Sequence, residues 1–146
     1  MFLSLSSTAR NSMTGNKVFI DSNILIYLLE KKSSKKLKVT SLLQPDFYIS
    51  TQVVAENISV CLRKLKTPKK IAFQHGLGLL KQFNLLTIDE STLLSSFEVS
   101  TKYQLSFWDS LIIATALQHQ CTILYSEDMQ DGLIIEKKLT IKNPFK

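Results

Sequence analysis

The chain has 146 residues, 45% hydrophobic and 21% charged, which excludes a disordered or low-complexity protein and suits one folded domain. Its 2 cysteines (Cys61, Cys121) and 2 histidines (His75, His119) are too few for a disulfide scaffold or a zinc cluster, and they suit a reducing, cytoplasmic compartment. The net charge of +6 is uneven: from Lys31 to Lys70 there are ten basic residues against two acidic ones, while the remainder is slightly acidic. That segment predicts an anionic partner such as a phosphate backbone, with a solvated lysine-rich face as the alternative. No apolar run approaches the ~18 residues of a membrane span, so no membrane association is expected.

Residues 1–16 are rich in Ser, Thr and Asn and have no basic segment ahead of their few apolar side chains. They read as a disordered leader, or as an upstream start with Met13 the working one, rather than as a signal peptide. Residues 17–146 are expected to form a single domain. It opens with the short apolar strand Lys17–Ile20, which stops at Asp21-Ser-Asn, an N-cap signal for a helix carrying Ile24, Leu25, Tyr27 and Leu28. A helix from Ser33 to Leu43 would put its lysines on one face and Leu37, Leu42 and Leu43 on the other, and Pro45 ends it. The strand Phe47–Ser50 is followed by a helix from Thr51 to Lys66. Thr67-Pro68 then reads as an N-cap with proline at the first helical position, opening a helix to about Phe83 that Gly76 and Gly78 weaken.

Asn84–Thr87 is a third strand, and the spacing of Leu93, Leu94 and Phe97 predicts a helix from Asp89 to about Lys102. Ser106 to about Gln120 is the most apolar helix. Thr122–Tyr125 is a fourth strand, stopped by Ser126-Glu-Asp, and Leu133–Ile135 a candidate fifth. Short apolar strands alternating with helices predict an α/β domain, a central short-stranded parallel sheet between two helical layers.

Parallel α/β sheets bind ligands at the carboxyl ends of their strands. Asp21 stands directly after the first strand and Asp128 just after the fourth. Glu56, in Val53-Val-Ala-Glu-Asn-Ile58, and Asp109, in Ser106-Phe-Trp-Asp-Ser-Leu-Ile-Ile113, lie in the opening turns of their helices, among apolar neighbours where acids are expensive. Each has an ordinary alternative: Asp21 as an N-cap, Asp109 as part of a capping box with Ser106, Glu56 as a surface residue, and Asp128 as one acid of a turn shared with Glu127 and Asp131. Taken together, four acids with no basic partner nearby in sequence suggest a divalent cation with oxygen ligands. The lack of histidine favours Mg²⁺ or Mn²⁺ over zinc. Such an ion can activate water for attack on a phosphodiester.

The segments VFIDSNILIYLL, STQVVAEN, LSFWDSLIIATAL and TILYSEDMQDG resemble, in order and spacing, the four acidic motifs of PIN-domain ribonucleases, and most closely those of VapC-type toxins of prokaryotic toxin–antitoxin pairs. The resemblance runs from about Lys17 onward. It implies a three-layer α/β/α PIN-like fold, with Asp21, Glu56 and Asp109 as metal-binding acids and Asp128 as the fourth, Glu127 and Asp131 being its competitors. It implies supporting roles for Asn23, Ser106 and Ser126. It further implies Mg²⁺- or Mn²⁺-dependent endonucleolytic cleavage of structured RNA, commonly transfer or ribosomal RNA, with dimerisation and a cognate antitoxin.

Lys31, Lys32, Lys35, Lys36 and Lys38 lie between the motifs and are read as contacts to RNA backbone. Phe47, Tyr48, Tyr103 and Phe107 are available to stack bases, with core packing the stronger expectation. Tyr27, Leu28, Leu42 and Leu43 are candidates for an antitoxin groove, again with core packing as the ordinary role. An aspartyl-nucleophile phosphotransferase is a rival reading, but Asn23 stands where such enzymes want a second Asp. The other alternative is a catalytically silent RNA-binding or scaffold module with the PIN fold, whose mark would be a missing acid; all four are present.

Overall fold

Strand β1 (Val18–Ile20) is three apolar residues, all buried, and it runs straight into helix α1 (Ser22–Leu25) and a 3₁₀ turn (Ile26–Leu29). The computed structural model of the protein describes residues 15–146. The leader reading therefore falls, apart from Gly15 and Asn16, outside the described residues; Asn16 accepts a hydrogen bond from the Thr122 hydroxyl through Oδ1 at 3.1 Å.

The chain continues through α2 (Ser34–Leu42), β2 (Tyr48–Ser50), α3 (Thr51–Arg63), α4 (Lys69–Gln82), β3 (Asn84–Leu86), α5 (Glu90–Tyr103), α6 (Phe107–Gln118), β4 (Ile123–Tyr125), β5 (Ile134–Ile135) and β6 (Leu139–Lys142). The sheet order is β3-β2-β1-β4-β6-β5, and every pairing is parallel except β5 with β6. Phe19 at the centre of β1 pairs with Tyr48 on one side and Leu124 on the other. Helix α3 packs on α1 and α4, and α5 packs on α6. Right-handed crossovers put α1–α4 on one face of the sheet and α5–α6 on the other, the expected three layers. Strand order reverses between β1 and β4, so the crevice at their carboxyl ends is where such a sheet places a ligand.

Several local expectations change in detail. The fifth strand is shorter than expected and antiparallel, closing a hairpin with β6, a strand the sequence reading does not include. Lys138 N donates to Ile135 O at 2.9 Å across a turn whose central residues, Glu136 and Lys137, take φ of 53° and 56°. Such turns normally carry Asn or Gly, so the sequence lacked the usual signal.

Pro68 occupies the N-cap position of α4 without a side-chain cap, one residue earlier in role than expected, and α3 stops at Arg63, short of Lys66. Helix α4 runs through both glycines. A Cβ on Gly76 would lie 2.8 Å from Ile58 Cδ1, so the missing side chain lets α4 approach α3 closely. On α2 the buried residue is Val39, while Leu37 is 63% exposed. On α5 the buried residues are Thr92, Ser96 and Val99, and Leu93, Leu94 and Phe97 face outward. A capping box between Asp89 and Thr92 starts α5, and the Thr92 hydroxyl donates to Gln118 Oε1 at 2.6 Å, tying its polar face to α6.

Candidate functional site

Asp21 leaves β1 with its amide donating to Tyr125 O of β4 at 3.0 Å, which fixes it at the reversal of strand order. Its Oδ1 accepts from Ser22 N at 2.7 Å and caps α1, so the N-cap role is real. Oδ2 also accepts from the Ser126 hydroxyl (2.9 Å) and from Asn23 Nδ2 (3.2 Å). The residue is 4% exposed. Burial pushes its carboxyl up to about 6; the hydrogen bonds from Ser126 and Ser22 oppose this, and the negative charges of Glu56 and Asp109 add to it.

Glu56 sits in the second turn of α3, half-buried. Its Oε1 accepts from the Ser22 hydroxyl at 2.9 Å and its Oε2 from Gln52 Nε2 at 3.2 Å. Asp109 lies in the first turn of α6, which begins because the Ser106 hydroxyl accepts from the Asp109 amide at 3.1 Å. Burial raises the Asp109 carboxyl; Ser106 holds it down and the charge of Asp128 raises it further. Four acids from four separate segments are thus within electrostatic reach of one another: Glu56 and Asp109 act on Asp21, and Asp128 acts on Asp109.

The three acids after β4 have different surroundings. Glu127 accepts from the Tyr27 hydroxyl at 2.6 Å and forms an ion pair with Lys35. Burial alone would raise its carboxyl, but the hydrogen bonds from Lys35 and Tyr27 outweigh that and hold it below the usual range. Asp131 accepts from Asn143 N at 2.8 Å and braces the chain near β6. Asp128 is exposed and lines a cleft of about 560 Å³ with Ser22, Asn23, Glu56, Ile26 and Leu29.

Asn23 and Ser126 link the two central strand ends. Asn23 Oδ1 accepts from Glu127 N at 3.1 Å, and the buried Ser126 hydroxyl accepts from Met129 N at 3.3 Å. Three residues that sequence reasoning passed over belong to the same network. Ser22 bridges Asp21 and Glu56. Gln52 spans from Glu56 to Trp108 O (3.1 Å), tying α3 to α6. Asn57 Nδ2 donates to Ser22 O at 3.1 Å while His75 Nε2 lies 2.8 Å from its Oδ1. The helical i, i+4 spacing of Gln52 and Glu56 was the available signal.

The lysine group divides. Lys31, Lys32 and Lys38 are exposed. Lys35 is committed to Glu127 and stands over the rings of Tyr27 and Phe145, and Lys36 Nζ donates to Glu30 O at 2.7 Å. Tyr27, Leu28, Leu43, Phe47, Tyr48 and Tyr103 pack against the core, whereas Phe107 is 36% exposed.

Among the described residues no three His, Cys, Asp or Glu side chains form a ready-made cage for a metal ion. The chemistry of the donor set nevertheless fits a hard, hydrated cation. All the donors are oxygens, and neither ion pair seen among the described residues, Lys35–Glu127 and Lys102–Glu136, involves the four acids. Buried Gln52 Oε1, on the amide that holds Glu56, has no hydrogen-bond partner, an orphan acceptor that an incoming water or hydroxyl donor would satisfy.

The family model described as the PIN domain matches residues 18–130, a span that contains all four acids and stops before the β5–β6 hairpin. Among curated proteins none matches. Solved structures that resemble the fold include a toxin–antitoxin complex from Klebsiella pneumoniae (23% identity, TM-score 0.67, 88% of this chain and 98% of that chain). DNA-bound VapBC from Salmonella typhimurium aligns over the same shares, 88% and 98%, at 14% identity and TM-score 0.67. The sarcin–ricin loop cleaving toxin VapC20 of Mycobacterium tuberculosis aligns at 13% identity and TM-score 0.62, covering 74% of this chain and 87% of that one.

Proposed function

This chain belongs to the PIN domain family, and on that premise we propose that it is a divalent-metal-dependent endoribonuclease, the toxin of a toxin–antitoxin pair. The observation that carries the reading is the gathering of Asp21, Glu56, Asp109 and Asp128 near the carboxyl ends of β1 and β4, Glu56 and Asp109 acting on Asp21 and Asp128 on Asp109, with none of the four in an ion pair among the described residues. These four would hold Mg²⁺ or Mn²⁺, and a bound ion would supply an activated water and offset charge at the scissile phosphate. The protein's own part is to keep the acids in place. Ser126, Asn23 and Ser22 fix Asp21, Ser22 and Gln52 hold Glu56, and Ser106 starts the helix that presents Asp109. Asp128 stands on the open side, where a strand can enter the cleft.

Structured RNA is the proposed substrate; the Mycobacterium neighbour is named for cleaving the sarcin–ricin loop. The Klebsiella and Salmonella neighbours are toxin–antitoxin assemblies, which supports an antitoxin partner here. A second copy of the chain is the partner proposed for the outward leucines Leu77, Leu80, Leu93 and Leu94 of α4 and α5.

The test is cleavage of total cellular RNA by the purified chain with Mg²⁺, with Mn²⁺ and with EDTA, beside Asp109→Asn. Cleavage should require the metal and fall about 100-fold or more in the folded variant, since a metal's transition-state stabilisation is worth several kcal/mol. Equal cleavage by both proteins would overturn the reading, and RNA binding without cleavage would mark a silent module.

A further inference from the structure

Immediately before Asp109, two large aromatic side chains stand in solvent: Phe107 is 36% exposed and Trp108 61%. With Phe97, 52% exposed, they form one continuous group of surface rings, and contiguous apolar surface of that kind marks an interaction site where scattered residues do not. Their arrangement is braced. The Phe107 and Trp108 rings meet edge to face with centroids 5.0 Å apart, and Phe97 of α5 supports Phe107 at 6.3 Å. The backbone beneath is held as well, because Gln52 Nε2 donates to Trp108 O (3.1 Å) and to Glu56 Oε2 (3.2 Å). The backbone that carries the indole is therefore tied to two of the four acids, to Glu56 through Gln52 and to Asp109 as its neighbour in the chain, while Phe107 braces the ring itself.

We propose that Trp108, braced by Phe107, is a stacking platform for an unpaired nucleobase of an RNA strand whose phosphate reaches the acid cluster. The inference rests on the ribonuclease reading and names how that strand is gripped. Phosphates are repelled beside a group of carboxylates, so a strand there is better held by its neutral base faces than by its charge. A flat indole meets that need, and it tolerates any base because every base has a π-face. Backbone charge is left to the exposed lysines Lys31, Lys32 and Lys38, away from the acids in sequence. A partner protein would be an alternative occupant, but the Trp108 backbone shares Gln52 with Glu56 and continues directly into Asp109, which favours the substrate of that site.

Trp108 is the only tryptophan in the chain, so its fluorescence reports the contact directly. The full chain in EDTA is titrated with a single-stranded oligoribonucleotide of mixed sequence about ten nucleotides long, and separately with the same sequence as a duplex. The strand should quench Trp108 and the duplex should not. By anisotropy of the labelled strand, Trp108→Ala and Trp108→Leu should each weaken binding about tenfold, while Trp108→Phe stays within about twofold. The weakening in Trp108→Ala should be the same at low and high salt, because stacking releases no counterions.

Binding without quenching, or equal affinity of the Ala, Leu and Phe variants, overturns the platform. So does a Trp108→Ala protein whose sedimentation changes while its RNA affinity does not, which would make the aromatic pair a protein-docking surface. If metal-dependent cleavage by the wild type persists in those cases, the ribonuclease reading stands and only the platform falls. If neither strand binding nor metal-dependent cleavage is seen, both fall together.

Discussion

The carboxyl edge of β1 and β4 and the outer faces of helices α2, α4 and α5 invert the usual economy of a small domain. At the edge, an acid is 4% exposed and within electrostatic reach of two others. On the outer faces, leucines stand in water while Thr92 and Ser96 are buried. The first arrangement opposes folding and is kept in place by hydrogen bonds from Ser22, Asn23 and Ser126. The second is tolerated because α4 and α5 are anchored from their other faces, by Leu79 and Val99 in the core, by Gly76 against Ile58 and by Thr92 bonded to Gln118. Unfavourable groups thus stand in two separate regions, and the functions proposed above assign them separate tasks, chemistry at the edge and association at the outer faces.

The contrast can be broken most sharply with protons. The folded-state value of Asp21, about 6, lies above its ordinary 3.8. The folded state thus binds the proton more tightly than the unfolded state. In metal-stripped protein the contribution of Asp21 is most favourable below pH ~4, declines as pH rises to ~6 and stays flat above, a decline of about 3 kcal/mol. Urea unfolding across that range should show the decline, and Asp21→Asn should flatten it. Saturating Mg²⁺ should remove it too, since bound cation stabilises the ionised form. A difference between the wild-type and Asp21→Asn profiles that does not fall from pH 4 to 6 would contradict the burial of a desolvated acid.

A smaller effect is expected on the basic side. Replacing Lys31, Lys32 and Lys38 together with Gln should weaken RNA binding alike across sequences. It should also lower the slope of log K against log salt by about one for each phosphate no longer neutralised. Replacing Lys35 instead should disturb the Tyr27–Glu127 clamp and leave that slope nearly unchanged. An equal change of slope from either set would mean that Lys35 also reaches the RNA.

The smallest change in folding stability should come from Leu94→Glu on α5, within about ±0.5 kcal/mol because the side chain is already in water. Its readout is association: sedimentation of the wild type should show a dimer, and the variant a monomer. A wild-type monomer at micromolar concentration would remove the proposed role of the outward leucines.

Much of this architecture was legible locally. Short apolar runs at Val18, Ile49 and Leu124, the caps at Asp21 and Ser106, and the order of the four acids all express interactions within a few residues. Such signals do not depend on the rest of the fold. The β5–β6 hairpin was hidden because Glu136 and Lys137 take left-handed backbone where Asn or Gly would have marked the turn. The direction in which Leu37, Leu93 and Leu94 point was equally hidden, since spacing shows that a helix has an apolar stripe and not what the stripe meets.

What the sequence determined by itself is therefore the alternation of strands and helices and the placing of acids at their ends, because hydrogen-bond capping and hydrophobic period are short-range. Only the tertiary structure decided which acid after β4 faces the cleft. Glu127 and Asp131 are drawn off by Lys35 and Tyr27 and by the amide of Asn143, partners 12 to 100 residues away in the chain. Asp128 is left at the opening because only long-range contacts distinguish it from its neighbours.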